Sequence, residues 1–201
     1  MQHFNSRQYW EERYNKNKTS GSGSYGRLAE FKAEIMNNFV LKEKIKSVVE
    51  LGCGDGNQLL QYKIPLYQGF DISDTVIKKC KEKFYKDSSK TFNHIRDLNK
   101  QKYELAMSID VIFHLIEDEV YETYMTNLFQ ASKKFVIIYS SNKENKNNKD
   151  IHVRHRVFTN WISKNKPQWK LHDHIPNKFP TKINSSKNNS FCDFFIFKLE
   201  S

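Results

Sequence analysis

The spacing of apolar positions changes several times along the chain. From residue 6 to 16, Tyr9, Trp10, Arg13 and Tyr14 recur at near-helical intervals. Gly21-Ser22-Gly23-Ser24 interrupts that pattern with nothing to pack. Leu28, Phe31, Ile35, Phe39 and Val40 then form one stripe of an amphipathic helix. Five short apolar runs follow, at Ser47–Leu51 and residues 67–72, 92–95, 103–108 and 135–140, and each reads as a strand. Residues 57–62 (ended by Pro65), 74–85 (with Asp74 as N-cap) and 118–131 read as helices between them. Beyond residue 143, Trp161 falls in another helical stretch. Trp169–Ile175 and the aromatic-rich residues 191–199 complete the set as strands. His172 and His174 alternate on the first of these, so they are expected on the same side.

Strands alternating with helices demand parallel pairing and right-handed crossovers. The expected fold is α/β: a doubly wound, mostly parallel sheet of seven strands in one domain covering residues 1–201. Residues 143–150, rich in Lys and Asn, read as a surface loop within that domain.

Composition adjusts this picture little. At 201 residues the chain is long enough to bury a core without disulfides, and 15 Phe and 10 Tyr offset a modest aliphatic content. Cys53, Cys80 and Cys192 form no Cys-x-x-Cys pair, which excludes a disulfide scaffold and a thiolate metal site and suits the reducing cytoplasm. No metal site is expected. Neither the first residues nor any apolar run carries a signal peptide or spanning segment, so no membrane partner is expected. The net charge of +10 is uneven: residues 151–201 carry 9 basic against 3 acidic side chains. That bias attracts anions.

The chemistry concentrates after the first strand. In Glu50-Leu51-Gly52-Cys53-Gly54-Asp55-Gly56-Asn57 three glycines stand between a strand and a helix, where backbone can approach a nucleotide-like ligand closely. The dinucleotide fingerprint G-x-G-x-x-G is not met, because the third glycine comes one residue early. Asp71 ends the next strand 17 residues after Gly54, in Gly-Phe-Asp-Ile-Ser, where a carboxylate can accept ribose hydroxyls. Ile95-Arg96-Asp97-Leu98 follows the third strand, and Ser108-Ile109-Asp110-Val111-Ile112-Phe113-His114-Leu115 follows the fourth.

These four segments, in this order, resemble the class I S-adenosylmethionine-dependent methyltransferases. The resemblance implies S-adenosylmethionine as cofactor, with S-adenosylhomocysteine as product. It implies a cofactor-binding core over residues 47–142, with contacts from Glu50, Gly52, Gly54, Gly56, Asp71, Ile72, Asp97, Asp110 and Val111. Asp71 takes the ribose, Asp97 the adenine amino group, and His114 faces the transferred methyl.

A hydroxyl acceptor needs a base, and His114 is the candidate catalytic residue. His152-Val153-Arg154-His155-Arg156 follows the fifth strand and offers an anion-binding cluster, with His152, Arg154 and Arg156 as candidate acceptor ligands. Tyr9, Arg13 and Tyr25 are further candidate acceptor ligands, in an N-terminal helical lid and hinge spanning residues 1–26 that resembles lids of small-molecule methyltransferases. Residues 143–201 then supply the acceptor-side loop and last strands.

The Trp10-x-x-Arg13-Tyr14 and His152-Val-Arg-His-Arg-x-Phe158 blocks are similar to short methyltransferases of bacterial capsule and surface-polysaccharide clusters. That likeness implies transfer to an oxygen of a small anionic acceptor, best matched by phosphoramidate or a related polysaccharide precursor. A sugar hydroxyl and RNA stand as alternatives. The motifs N-P-P-Y and D-P-P-Y of base-modifying enzymes do not occur, which makes nucleic acid the weaker partner. A non-catalytic cofactor-binding protein and a nicotinamide dehydrogenase are competing classes.

Overall fold

The computed structural model describes residues 4–144, 150–181 and 189–200. Residues 1–3 of the expected lid and residues 145–149 of the Lys/Asn loop lie outside the described residues.

Helix α1 (Ser6–Asn15) begins at Asn5, whose side chain accepts from Gln8 N. Helix α2 (Gly26–Lys42) buries Leu28, Phe31, Met36 and Phe39, as the apolar stripe requires. Strand β1 (Ser47–Leu51) leads into the glycine loop. The segment expected as a helix at 57–62 is only a 3-10 turn over Gln58–Gln61. Pro65 follows too soon for a longer helix to form. β2 (Leu66–Asp71), α3 (Asp74–Lys83), β3 (Lys90–His94), β4 (Tyr103–Ile109), α4 (Asp118–Gln130) and β5 (Ser132–Ser140) follow. The N-cap of α3 is Ser73, whose hydroxyl accepts from Val76 N, not Asp74, which forms the first turn. The chain ends with α5 (Phe158–Asn165), β6 (Trp169–Ile175) and β7 (Asp193–Leu199).

The seven strands run in the order β3-β2-β1-β4-β5-β7-β6. β1 pairs in parallel with β2 and β4, and the outer pairs β2–β3 and β4–β5 are parallel too. β7 pairs antiparallel with both β5 and β6, so the sheet is mixed. A β-bulge between Leu171 and Asp173 overturns the expected alternation of the two histidines. His172 packs against Phe135 on one face, whereas His174 stacks on Phe195 of the other.

Both faces are covered. Phe135, Ile137 and Tyr139 of β5 pack with Met36 and Phe39 of α2 on one side. Val136 and Ile138 pack with Met125, Leu128 and Phe158 on the other. Each such side chain contributes roughly 1.5–3 kcal/mol on burial. The two halves of the sheet diverge between β1 and β4. Doubly wound sheets open a crevice at that point, beyond the carboxyl ends of the strands.

Candidate active site

A cavity of about 450 Å³ occupies that crevice, within the size range of small-molecule sites. Its floor is the loop after β1. Gly52 has φ +83°, and a Cβ there would lie 2.5 Å from Val111 Cγ2. At Gly54, φ +55°, a Cβ would run into Ser20. Only glycine lets the loop take this path beneath the cavity. The loop is tied down by Gly52 N–H and Cys53 N–H, which donate to Phe70 O at 2.7 and 3.0 Å.

Five carboxylates, Glu50, Asp55, Asp71, Asp110 and Glu119, line the cavity. Asp71 is buried, and its carboxylate accepts Gly54 N–H at 2.9 Å and Ser73 N–H at 3.1 Å. Burial raises its pKa, opposed by those same backbone donors. It therefore braces the glycine loop as well as facing the cavity. Glu50 accepts from Tyr67 OH at 2.5 Å, and burial pushes its pKa up to about 7. Asp55 accepts Ser20 N–H at 2.9 Å and Tyr25 OH at 3.2 Å, so the chain after α1 is stitched to the loop.

Asp110 takes a left-handed conformation, φ +59°, and is held by Lys32 at 2.6 Å. Lys32 is a cation with 1% of its surface exposed, under the ring of Tyr139 at 5.2 Å. Sequence reasoning missed it. The signal was present, because Lys32 lies four residues from both Leu28 and Met36, inside the apolar stripe of α2.

Of the expected cofactor contacts, Glu50, Gly52, Asp71, Ile72, Asp110 and Val111 line the cavity. Gly54 and Gly56 are not part of the cavity wall; Gly54 lies close to Ser20 and Tyr14, and Gly56 close to Phe84 and Cys80. Asp97 is exposed and off the cavity wall; Ile95 of the same segment lines it instead. Asp97 sits in a 3-10 turn (Ile95–Asp97) that directs the apolar residue inward.

His114 lines the cavity and closes a column of rings. Its imidazole stacks on His152 at 5.5 Å, His152 stacks on Tyr9 at 5.1 Å, and Trp10 meets His114 edge-on at 4.9 Å. Nδ1 lies 2.8 Å from His152 O. Burial depresses the pKa of His114 to about 4.

The expected anion cluster turns inward on the protein. Arg154 Nη1 donates to Ile116 O at 2.8 Å, and Arg156 donates to Leu115 O at 2.6 Å and Ile116 O at 3.0 Å. Both guanidiniums also pair with Asp118. Neither arginine lines the cavity; they brace the segment that carries His114. The physical reason is that a chain turn with free carbonyls needs donors, and guanidinium supplies several at once. Tyr9, Arg13 and Tyr25 lie outside the cavity wall, whereas Trp10, Tyr14 and Ser20 of the same segment form part of it. Arg13 donates to Thr19 O at 2.7 Å and sits over the Trp10 ring at 5.7 Å. Ser6, at the start of α1, is gripped by Glu117, to which both its N–H and its hydroxyl donate.

The glycine cradle and five acidic groups suit a cationic, nucleoside-bearing cofactor. Gln58 Oε1, buried without a partner among the described residues, adds an acceptor at the same cavity. The sequence model of the mRNA (guanine-N(7))-methyltransferase domain family matches residues 1–159. The chain belongs to that family. It is a methyltransferase that uses S-adenosylmethionine.

Solved structures agree on the fold. N-methyltransferase NodS from Bradyrhizobium japonicum, bound to S-adenosylhomocysteine, superposes with a TM-score of 0.72 at 12% identity, covering 98% of this chain and 100% of that one. Magnesium protoporphyrin IX methyltransferase from Synechocystis, bound to S-adenosylmethionine, gives 0.69 at 13% identity over 100% of both chains. The methyltransferase domain of bacterial CtHen1 gives 0.62 at 19% identity, covering 85% of this chain and 97% of that one. No curated protein sequence matches the chain.

Proposed function

We propose that this methyltransferase acts on an oxygen of a small acceptor that also presents an N–H or O–H group. Phosphoramidate, or a related precursor of a capsule polysaccharide, is the best candidate; a sugar hydroxyl is the near alternative. One observation carries the reading: the contact of His114 Nδ1 with His152 O at 2.8 Å. A carbonyl only accepts, so the contact with His152 O makes Nδ1 the donor and leaves the lone pair on Nε2. Burial keeps the ring neutral at physiological pH.

A neutral imidazole with a free lone pair favours a ligand that brings a hydrogen to it. Phosphoramidate brings an N–H beside an anionic oxygen, and a sugar brings a hydroxyl. S-adenosylmethionine supplies an electrophilic methyl on sulfur. The acceptor oxygen forms the new C–O bond as the C–S bond breaks, and the sulfur keeps that electron pair. Where the nucleophile is a hydroxyl, its proton passes to His114 Nε2; where it is an anionic oxygen, no proton moves and His114 orients the acceptor. Helix α1 serves as the lid, with Trp10 and Tyr14 over the cavity and Tyr9, Arg13 and His152 at its outer rim.

Membership of the guanine-N7 family favours a second reading, a guanine of RNA. A ring nitrogen already holds its lone pair and needs no base. Labelled S-adenosylmethionine offered with phosphoramidate, nucleotide-linked sugars and capped RNA separates the two. The expected result is label in a small acceptor, a drop in kcat of about a hundredfold in His114→Ala, through a lost base for a hydroxyl or lost orientation for an anionic oxygen, and a kcat that stays level as pH falls from 8 to about 5. A histidine at its ordinary pKa would lose activity near 6.5; this one, held at about 4, stays competent below that. Label confined to RNA, or an unchanged kcat in His114→Ala, would overturn the proposal.

A further inference from the structure

The edge of the sheet opposite the cavity has its own chemistry. Lys44 and Lys46 precede β1, Lys102 precedes β4, Lys133 opens β5, Lys198 ends β7, and Lys170 opens β6; all six are exposed. The sheet order places them along one edge from β1 to β6. Pairing confirms the alignment: Tyr103 lies opposite Ser132, Phe135 opposite Lys198, and Lys198 opposite Lys170. At about 4.8 Å between strands the row is roughly 19 Å long.

None of the six has an ion-pair partner among the described residues. The acids nearby are few. Glu104 is half-buried and accepts Lys46 N–H at 2.6 Å, Glu43 is half-buried, and Glu200 is exposed. Two large apolar side chains stand in the same edge, Leu41 at the end of α2, 79% exposed, and Leu66 at the start of β2, 46% exposed.

We infer that this edge docks on an anionic bilayer surface. Exposed leucines among lysines match a headgroup layer over hydrocarbon, where lysine stems also bury well. An RNA backbone offers those leucines nothing, and among the six lysines from β1 to β6 stands no exposed aromatic ring on which a base could stack; exposed Tyr85 lies beyond β2, in the turn before β3. The arginines point the same way. All six of the chain (Arg7, Arg13, Arg27, Arg96, Arg154 and Arg156) belong to segments at the cavity end, and none to this edge. Arginine's fork reads individual phosphates, whereas lysine point charges suit the smeared field of a headgroup plane. No helix among the described residues is long and apolar enough to cross a membrane, so the contact is peripheral. It replaces the expectation of no membrane partner with one of surface attachment, and leaves the cavity facing away from the lipid.

The full chain mixed with vesicles of one part phosphatidylglycerol to three parts phosphatidylcholine tests this by co-sedimentation. Binding to these but not to pure phosphatidylcholine is expected, weakening with added salt. Each lysine neutralised should weaken partitioning about fivefold. The quadruple variant Lys44→Gln, Lys46→Gln, Lys102→Gln, Lys133→Gln should therefore lose several hundredfold while keeping its affinity for S-adenosylmethionine, which reports an intact fold. Leu41→Asn with Leu66→Asn should cost about a further tenfold. Equal binding to neutral vesicles, unchanged partitioning of either variant, or tighter retention on single-stranded RNA than on anionic vesicles would each overturn the inference.

Discussion

The two walls of the cavity are built by different means. The cofactor wall is mostly backbone: Gly52 and Cys53 donate to Phe70 O, Gly54 donates to Asp71, and left-handed glycines set the path. The wall around His114, the proposed acceptor wall, rests on contacts between side chains and distant backbone carbonyls. His114 is oriented by a carbonyl 38 residues away, and its segment is held by Arg156 from 40 to 41 residues away. A wall written in local backbone geometry is visible as a motif. A wall assembled through long-range bracing looks like loose basic residues until the fold brings its parts together.

Breaking the cofactor wall should have the largest effect. Gly52→Val adds about 1–3 kcal/mol of backbone strain at φ +83° and drives a side chain into Val111. Calorimetry should show S-adenosylmethionine affinity falling roughly a hundredfold or more, since each tenfold corresponds to about 1.4 kcal/mol. Retained affinity would mean that the loop is not the cofactor cradle.

Breaking the acceptor wall should be milder and different in kind. Arg156→Leu removes the Arg156 donor from Leu115 O, leaves Ile116 O with Arg154 alone, and loosens the turn below His114. Steady-state kinetics should show kcat down about tenfold with the cofactor dissociation constant changed less than twofold. A rise confined to the KM of the acceptor would instead return Arg156 to the direct contact expected of it from sequence.

The smallest effect sharpens the electrostatic side of the comparison. Burial raises Glu50 to a pKa of about 7, so the folded chain holds its proton more tightly than the unfolded chain. The sign follows from linkage: its contribution to stability is present below about 4.5 and is lost as pH rises through about 7. Ionised Glu50 welcomes a cation, so affinity for S-adenosylmethionine should climb severalfold between pH 6 and 8. S-adenosylhomocysteine, which lacks the sulfonium, should climb less, and Glu50→Gln should flatten both curves. Parallel slopes for the two ligands would remove Glu50 from the recognition of charge.

Much of the fold was legible in the sequence because strand and helix periods are local. β1 and β6 fall where their apolar runs place them, and the remaining strands differ by one to three residues at their ends. The cofactor side was legible for the same reason: a strand, a glycine loop and a carboxylate after the next strand follow from short spacings. Three features were not. The reversal of β7 depends on which edge is free once five strands have paired. The bulge that separates His172 from His174 is set by cross-strand register. The pairing of Lys32 with Asp110 joins residues 78 positions apart.

The sequence by itself determined the order of elements, the glycine cradle and the carboxylates around it, because each rests on neighbours within a turn or a strand. Tertiary structure alone decided what the basic residues do. Arg154 and Arg156 were available to an anion until the turn after His114 presented its carbonyls to them. Lys32 was one lysine among many until burial made Asp110 its necessary partner. A charge acquires its role from what burial leaves unpaired around it, and that is known only when the chain has closed.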